Sequence, residues 1–240
     1  MPTVGLFVTC VVDQIVPQVG MAAVRLLEAA GCTVEFPAEQ TCCGQPACNA
    51  GEPEAAAVLA RHWIDVFGGY DAIVGPSGSC VAMVHHWYPR LLGGAERERA
   101  RELAARTFEL TSFLADELAT LELGARLDAT VTVHDSCHGL RNLGVRDAGR
   151  RLLEAAGATL VEMSEPETCC GFGGTFSLDH PEIAAPLADA KLTDAAQTEA
   201  RWLASSDAAC LLHLEGRRRR TGAGPEPIHT ARLLAAGLER

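Results

Sequence analysis

Four cysteine positions recur in the two halves of this 240-residue chain, and this repeat constrains the fold more than any other feature. Each copy has a single cysteine, 31 further residues, a Cys-Cys-Gly tripeptide and one more cysteine. The copies are offset by 127 residues at the first three cysteines and by 130 at the last, which indicates a three-residue insertion in the second copy. The repeated cysteines are Cys10, Cys42, Cys43 and Cys80 in the first half and Cys137, Cys169, Cys170 and Cys210 in the second.

The rest of the chain also indicates a duplication. The hexapeptide LLEAAG occurs at 26–31 and again at 152–157. Two of the ten cysteines, Cys32 and Cys48, have no counterpart in the second half, and we expect a small core residue and a loop thiol there rather than ligands. The chain is therefore predicted to have two domains, residues 1–122 with the connecting helices and residues 123–240 with a C-terminal helix.

Short apolar strands alternate with amphipathic helices in the same order in both halves. This order predicts an α/β fold of two pseudo-symmetric units, each with a small parallel sheet. Strands are predicted at 4–10, 32–37 and 71–76, and at 130–137, 159–163 and 209–214. Helices are predicted at 17–30 and 54–67, at 147–156 and 182–200, and at 96–120 and 229–238.

The repeated cysteines lie in loops that follow the carboxyl ends of these strands, where open parallel sheets bind ligands. We therefore expect each half to bring its four thiolates to one point. Four thiolates suit either a tetrahedral zinc ion or an iron–sulfur cluster. The spacing leaves both open, because neither C-x-x-C knuckles nor ferredoxin-type runs occur. A dithiol redox pair is disfavoured because adjacent cysteines form a strained disulfide.

Composition and charge argue against a nucleic-acid-binding protein and against a membrane-spanning one. A formal charge of −11 argues against nucleic acid as a main partner, and the basic run Arg217–Arg220 is expected to be a solvated loop. The N-terminus carries no signal-peptide pattern, and no apolar stretch reaches the roughly 20 residues that cross a bilayer. We therefore expect a cytoplasmic protein without a membrane span, in which clustered cysteines bind metal or do redox chemistry.

Several other motifs are not interpreted as functional. The stretch GFGGTF (171–176) lacks the last glycine of a dinucleotide-binding loop, so no such cofactor is expected. His134 and His213 lie in predicted strands and are expected to be hydrogen-bonded core residues. His138, beside Cys137, is expected at the surface or at the N-terminus of a helix, although it could donate a hydrogen bond to a cluster.

The cysteine motifs resemble those of a known family. FVTCVVDQ, TCCGQPACNAG, GPSGSC, HDSCHGLRNLGV, TCCGFGGTFS and CLLHLEG occur in the order found in the CCG-type iron–sulfur proteins. This family includes the B subunit of heterodisulfide reductase and the iron–sulfur subunit of glycolate oxidase. The likeness is greatest to the members that serve lactate utilization, and it covers nearly the whole chain.

The resemblance implies a function. It implies a non-catalytic electron-transfer subunit with one or two iron–sulfur clusters, of 4Fe–4S type, held by the eight repeated cysteines. Such a subunit would act with two others, one of them a ferredoxin-type iron–sulfur protein, in the oxidation of L-lactate to pyruvate. The alternatives are electron transfer from glycolate or another 2-hydroxy acid, zinc in one site, and a zinc-binding or metal-free assembly module.

The chain departs from the heterodisulfide reductase pattern at one point in each half. That pattern ends in C-x-x-C, whereas Ser77 and Asp207 stand here in place of the first of these cysteines. Each half therefore has four of the family's five thiols, which puts a five-thiolate cluster and heterodisulfide chemistry in doubt. Ser77 and Asp207 could bind metal through oxygen or cap the helix that follows.

Overall fold

The computed structural model describes residues 2–238. Within them, eight strands form two four-stranded parallel sheets. The strands are β1 (Thr3–Leu6), β2 (Thr33–Glu35), β3 (Ala72–Gly75), β4 (Thr107–Glu109), β5 (Thr130–Val133), β6 (Thr159–Leu160), β7 (Trp202–Ser205) and β8 (Glu226–His229). They lie in the order β2-β1-β3-β4 in the first half and β6-β5-β7-β8 in the second. The predicted α/β fold with two duplicated parallel-sheet units is confirmed.

The helices follow the same plan in both halves. The first half contains α1 (Cys10–Ile15), α2 (Pro17–Ala29), α3 (Gln45–Asn49), α4 (Pro53–Phe67), α5 (Gly78–Ala82), α6 (Tyr88–Leu91), α7 (Gly94–Ala104) and α8 (Leu110–Ser112). The second contains α9 (Cys137–Leu143), α10 (Asp147–Ala155), α11 (Phe176–Asp179), α12 (Pro181–Ala196), α13 (Ala208–Thr221) and α14 (Thr230–Gly237). Turns of π-helix at Met83–Trp87 and Phe113–Glu117 extend α5 and α8.

Local sequence explains why these elements form. Helix α2 begins with Pro17, whose fixed φ suits a first helical position, and ends before Gly31, which adopts φ 83°. Its apolar residues recur at helical spacing and bury one face, as shown by Val19, Ala23 and Leu26. The four central strands, β1, β3, β5 and β7, are each buried over three of their four residues, as expected for strands covered on both faces.

The structure corrects the prediction at residues 209–214. This apolar run belongs to helix α13, and the third strand of the second half is β7, directly before it. His213 therefore lies on a helix, where a ring nitrogen is 3.3 Å from the carbonyl oxygen of Ala184. The basic run Arg217–Arg220 is helical rather than a loop, and Arg217 forms an ion pair with Asp189. Strands β4 and β8 were not predicted.

The two halves share one apolar interior, which contains Val4 and Leu26 of the first half and Val131 and Leu152 of the second. Helix α2 packs against α14, and α10 packs against α8 and the π-turn that follows it. Helix α5 likewise packs against α9, and α1 against α13. Each of these helix contacts thus has a counterpart in which the halves exchange roles. The boundary between residues 122 and 123 stays a prediction.

None of the helices described within residues 2–238 combines the length and the apolar character that crossing a bilayer requires.

A buried carboxyl group ends strand β4. Glu109 is 1% exposed, and one of its oxygens caps α8 by accepting hydrogen bonds from the backbone N–H groups of Thr111 and Ser112, at 2.8 and 3.2 Å. The other oxygen has no partner among the described residues. Burial raises the pKa of Glu109 to about 7.

This raised pKa predicts a pH-dependent stability. Below pH 4.5 the carboxyl is protonated in both states, whereas between about pH 4.5 and 7 only the unfolded chain releases the proton, so stability falls as pH rises. Glu109→Gln should therefore stabilise the metal-free protein by about 1–3 kcal/mol more at pH 8 than at pH 4.5. Urea unfolding at both pH values measures the difference.

The exposed Glu117, eight residues further on, supplies the control. Glu117→Gln should change stability equally at both pH values. The same pH-independent result for Glu109→Gln would contradict the raised pKa.

Candidate metal centres

Neighbouring strand ends position the cysteines of the first half. Cys10 is the first residue of α1, just after β1, and Cys80 lies in the first turn of α5, just after β3. The Cys42–Cys43 pair lies in the loop that follows β2. Because β2, β1 and β3 are adjacent and parallel, their carboxyl ends lie at one edge of the sheet. The structure therefore brings the four predicted cysteines of this half together.

The sulfur atoms of the first quartet (Cys10, Cys42, Cys43 and Cys80) interact directly. The Sγ atoms of Cys10 and Cys42 are 3.5 Å apart, and the neighbouring thiols of Cys42 and Cys80, together with burial, raise the pKa of Cys43. The backbone N–H of Gly44 donates to the Cys42 sulfur at 3.4 Å. The turn at Gly44, with φ 86°, allows both cysteines of the pair to face the same point.

The second quartet (Cys137, Cys169, Cys170 and Cys210) repeats this arrangement. Cys169 interacts with Cys137 and Cys170, and Cys170 also interacts with Cys210. The N–H of Gly171 donates to the Cys169 sulfur at 3.3 Å.

Hydrogen bonding within each quartet concentrates negative charge on one sulfur. The pKa of Cys42 is lowered to about 3 and that of Cys169 to about 2, because each accepts hydrogen bonds from two neighbouring thiols. The same bonds, together with burial, raise the pKa values of Cys10 and Cys170. Crowded thiols of this kind release their protons when a cation binds. The donor atoms of both quartets therefore fit a metal ion or an iron–sulfur group.

The two quartets face one cavity of about 380 Å³ between the halves. Seven of the eight repeated cysteines line it, all except Cys42. A hydrogen bond across its wall joins the side chain of Gln45 to the ring of His138 at 3.1 Å. His138 lies in the first turn of α9, one of the two positions expected from the sequence.

Asp207 links the two centres through their helices. It is 1% exposed and accepts hydrogen bonds from the N–H of Ala209 in α13, at 3.2 Å, and from that of Ser79 in α5 of the other half, at 2.9 Å. Asp207 therefore caps a helix, one of the two roles considered from the sequence. Ser77 makes no capping bond with its side chain, and its hydroxyl is 3.3 Å from that of Ser79.

The two unrepeated cysteines are placed differently. Cys32 is buried in the shared interior, as predicted for a core residue. Cys48 lies on helix α3 rather than in a loop. Neither is among the described residues that line the cavity.

His134 was wrongly expected to be a hydrogen-bonded core residue. It is 2% exposed, yet neither ring nitrogen has a hydrogen-bond partner among the described residues. Burial and the charge of Lys191 lower its pKa to about 4, so the ring is neutral at neutral pH. A donor atom of the ring and the sulfur atoms of Cys170 and Cys210 all lie within 4.8 Å of one another. Aligning the halves would have revealed His134, because Phe7 occupies the equivalent position.

Gly44 and Gly171, which follow the two cysteine pairs, provide a test of the backbone geometry of these turns. A Cβ atom at Gly171 would overlap the carbonyl oxygen of Ala184, whereas one at Gly44 would lie 3.3 Å from that of Ala56. Both residues have positive φ, which costs about 1–2 kcal/mol for alanine. Gly171→Ala should therefore destabilise the metal-free protein more than Gly44→Ala does, as measured by chemical unfolding.

Gly69 is the control, because nothing lies within 4 Å of a Cβ atom placed there. Gly69→Ala should have little effect. Equal losses for Gly44→Ala and Gly171→Ala would show that the second turn is no tighter than the first.

Comparison with known proteins places the chain in a family. A model of the CCG cysteine-rich domain matches residues 4–85 and again 131–215. Lactate utilization protein A of Exiguobacterium sp. is 44% identical over 245 residues, covering 100% of both chains. Its namesake in Oceanobacillus iheyensis is 42% identical over 234 residues, covering 96% of both. Among solved structures, a putative Asp/Glu racemase from Yersinia pestis covers 100% of this chain and 98% of its own, with a TM-score of 0.40 and 13% identity. The chain belongs to the CCG cysteine-rich domain family, carries two copies of that domain, and is a homologue of lactate utilization protein A.

Proposed function

We propose that this protein is an iron–sulfur electron-transfer subunit of a complex that oxidises L-lactate to pyruvate. One observation carries the proposal: eight thiols from distant loops meet as two quartets, and seven of the eight line one shared cavity. An iron–sulfur cluster of 4Fe–4S type, when bound by thiolates, accepts and releases single electrons. The proposed ligands are Cys10, Cys42, Cys43 and Cys80 for one cluster and Cys137, Cys169, Cys170 and Cys210 for the other.

The names of the relatives support lactate as the source of electrons, since two homologues along nearly the whole chain are called lactate utilization protein A. Oxidation of L-lactate to pyruvate releases two electrons and two protons. The proposal assigns this chemistry to a partner subunit, because the glycine-rich stretch 171–176 forms the turn at the second quartet and the start of α11. This chain would then pass the two electrons on, one at a time.

Two partner subunits belong to the proposal, one of them a ferredoxin-type iron–sulfur protein. The proposal places docking at the edge of the cavity, where the side chain of Leu178 is 80% exposed. All ten cysteines are free thiols in the structure, which supports the proposed cytoplasmic location.

Cysteine variants test the ligand assignment. After anaerobic reconstitution with iron and sulfide, Cys43→Ser and Cys170→Ser should each lose about half of the bound iron and acid-labile sulfide, because each removes a ligand from one centre. Cys32→Ser and Cys48→Ser are matched controls outside the quartets, and both should retain full content and the same visible spectrum.

Two results would overturn this assignment. One is a colourless protein that holds zinc in both halves even after reconstitution, as the alternative of an assembly module predicts. The other is an equal loss of iron from Cys32→Ser and Cys170→Ser.

Reduction by substrate tests the proposed place in electron transfer. L-lactate should leave the visible absorbance of the reconstituted chain alone unchanged, and should bleach it when the partner subunits are added. The same measurement with glycolate in place of L-lactate tests whether another 2-hydroxy acid also supplies electrons. Bleaching of the isolated chain by L-lactate would contradict the assignment of substrate oxidation to a partner.

A further inference from the structure

The two halves place different residues behind otherwise equivalent cysteine quartets. In the first half, Phe7 and Trp63 pack edge to face with ring centroids 5.5 Å apart. In the second half, His134 and Lys191 occupy these places, and both are at most 2% exposed. An aromatic pair in one half is thus replaced by two nitrogen-bearing side chains in the other.

Backbone contacts establish the equivalence of these positions. The N–H of Phe7 donates to the carbonyl of Val74 on β3 at 2.9 Å, and that of His134 donates to Ala204 on β7 at 2.8 Å. Helices α4 and α12 both begin with proline, and Trp63 and Lys191 are each the eleventh residue of their helix.

The ring of His134 lacks the interactions that a buried imidazole needs. Leaving such a polar group without a hydrogen bond is destabilising, so native proteins rarely do so without reason. Lys191 donates to the carbonyl oxygen of Glu165, and no hydrogen bond joins it to the ring. The backbone of Pro166 lies beside the ring and partly offsets the lowering of its pKa, but neither ring nitrogen makes a hydrogen bond of normal geometry with it.

The groups that face the ring of His134 explain why it has no hydrogen-bond partner. A donor atom of His134 lies within 4.8 Å of the sulfur atoms of Cys170 and Cys210, two members of the second quartet. A ligating histidine commonly binds metal through one nitrogen and turns the other toward a backbone carbonyl. The two sulfur atoms mark the direction of the first of these roles, and the backbone of Pro166 lies beside the ring.

We propose that His134 is a nitrogen ligand to the metal of the second quartet, so that this centre has mixed nitrogen and sulfur donors while the first has sulfur alone. This inference depends on the proposed function, because it requires that both quartets hold metal. An imidazole ligand and the nearby charge of Lys191 both favour the reduced form. The second centre should therefore have the higher reduction potential, and electrons should collect there.

Pulsed EPR of the reduced, reconstituted full-length protein tests this directly. The spectrum should show a nitrogen coupling that changes when histidine is labelled with 15N. His134→Phe inserts the residue that the first half carries, so the fold should tolerate it. This variant should lose the coupling and lower the potential of one centre only. His213→Gln, three residues after Cys210, is the matched control and should keep the coupling.

Two outcomes would overturn the proposal: no histidine nitrogen coupling in the wild-type protein, or a coupling that persists in His134→Phe. The wild-type labelling result stands even if the variant fails to fold. If no iron–sulfur cluster assembles, the proposed function fails, and Co²⁺ then tests His134 separately. The visible bands of bound Co²⁺ should shift between wild type and His134→Phe, and unchanged bands would exclude nitrogen ligation.

Discussion

Parallel strand order is the constraint on which both candidate centres depend. Because β2, β1 and β3 run in the same direction, three loops far apart in sequence end at one edge of the sheet. The same holds for β6, β5 and β7. An antiparallel strand at any of these positions would carry its cysteine to the opposite edge. The sheet thus determines where the sulfur atoms of a quartet can meet. The glycine after each cysteine pair determines whether both sulfur atoms of that pair can face the same point.

The centres are held by more than their own loops. Asp207 caps helices of both halves at once, and the shared interior packs α2 against α14. A shift of one half relative to the other would therefore disturb both quartets together. This coupling makes the cavity between them a property of the whole chain rather than of either half.

Much of this architecture could be predicted from the cysteine repeat, since an inorganic site imposes the same spacing on both copies. Residues 209–214 were misassigned because a short apolar run does not distinguish a buried strand from a buried helix. Strands β4 and β8 escaped prediction because they are short and contain Glu109 and Pro227, which are unusual in strands. The unpartnered ring of His134 depends on what surrounds it in space, which no pattern along the chain records.

The exchange of roles across the contacts between the halves has an evolutionary consequence. A surface that pairs with its own copy about a two-fold axis is the arrangement of a symmetric homodimer. An ancestral single unit would have completed its interior only by self-association, and both of its sites would have been identical by necessity. Joining both units in one chain removes that requirement. The two sites can then differ, as they do here with Phe7 and Trp63 on one side and His134 and Lys191 on the other, a difference that no homodimer can encode.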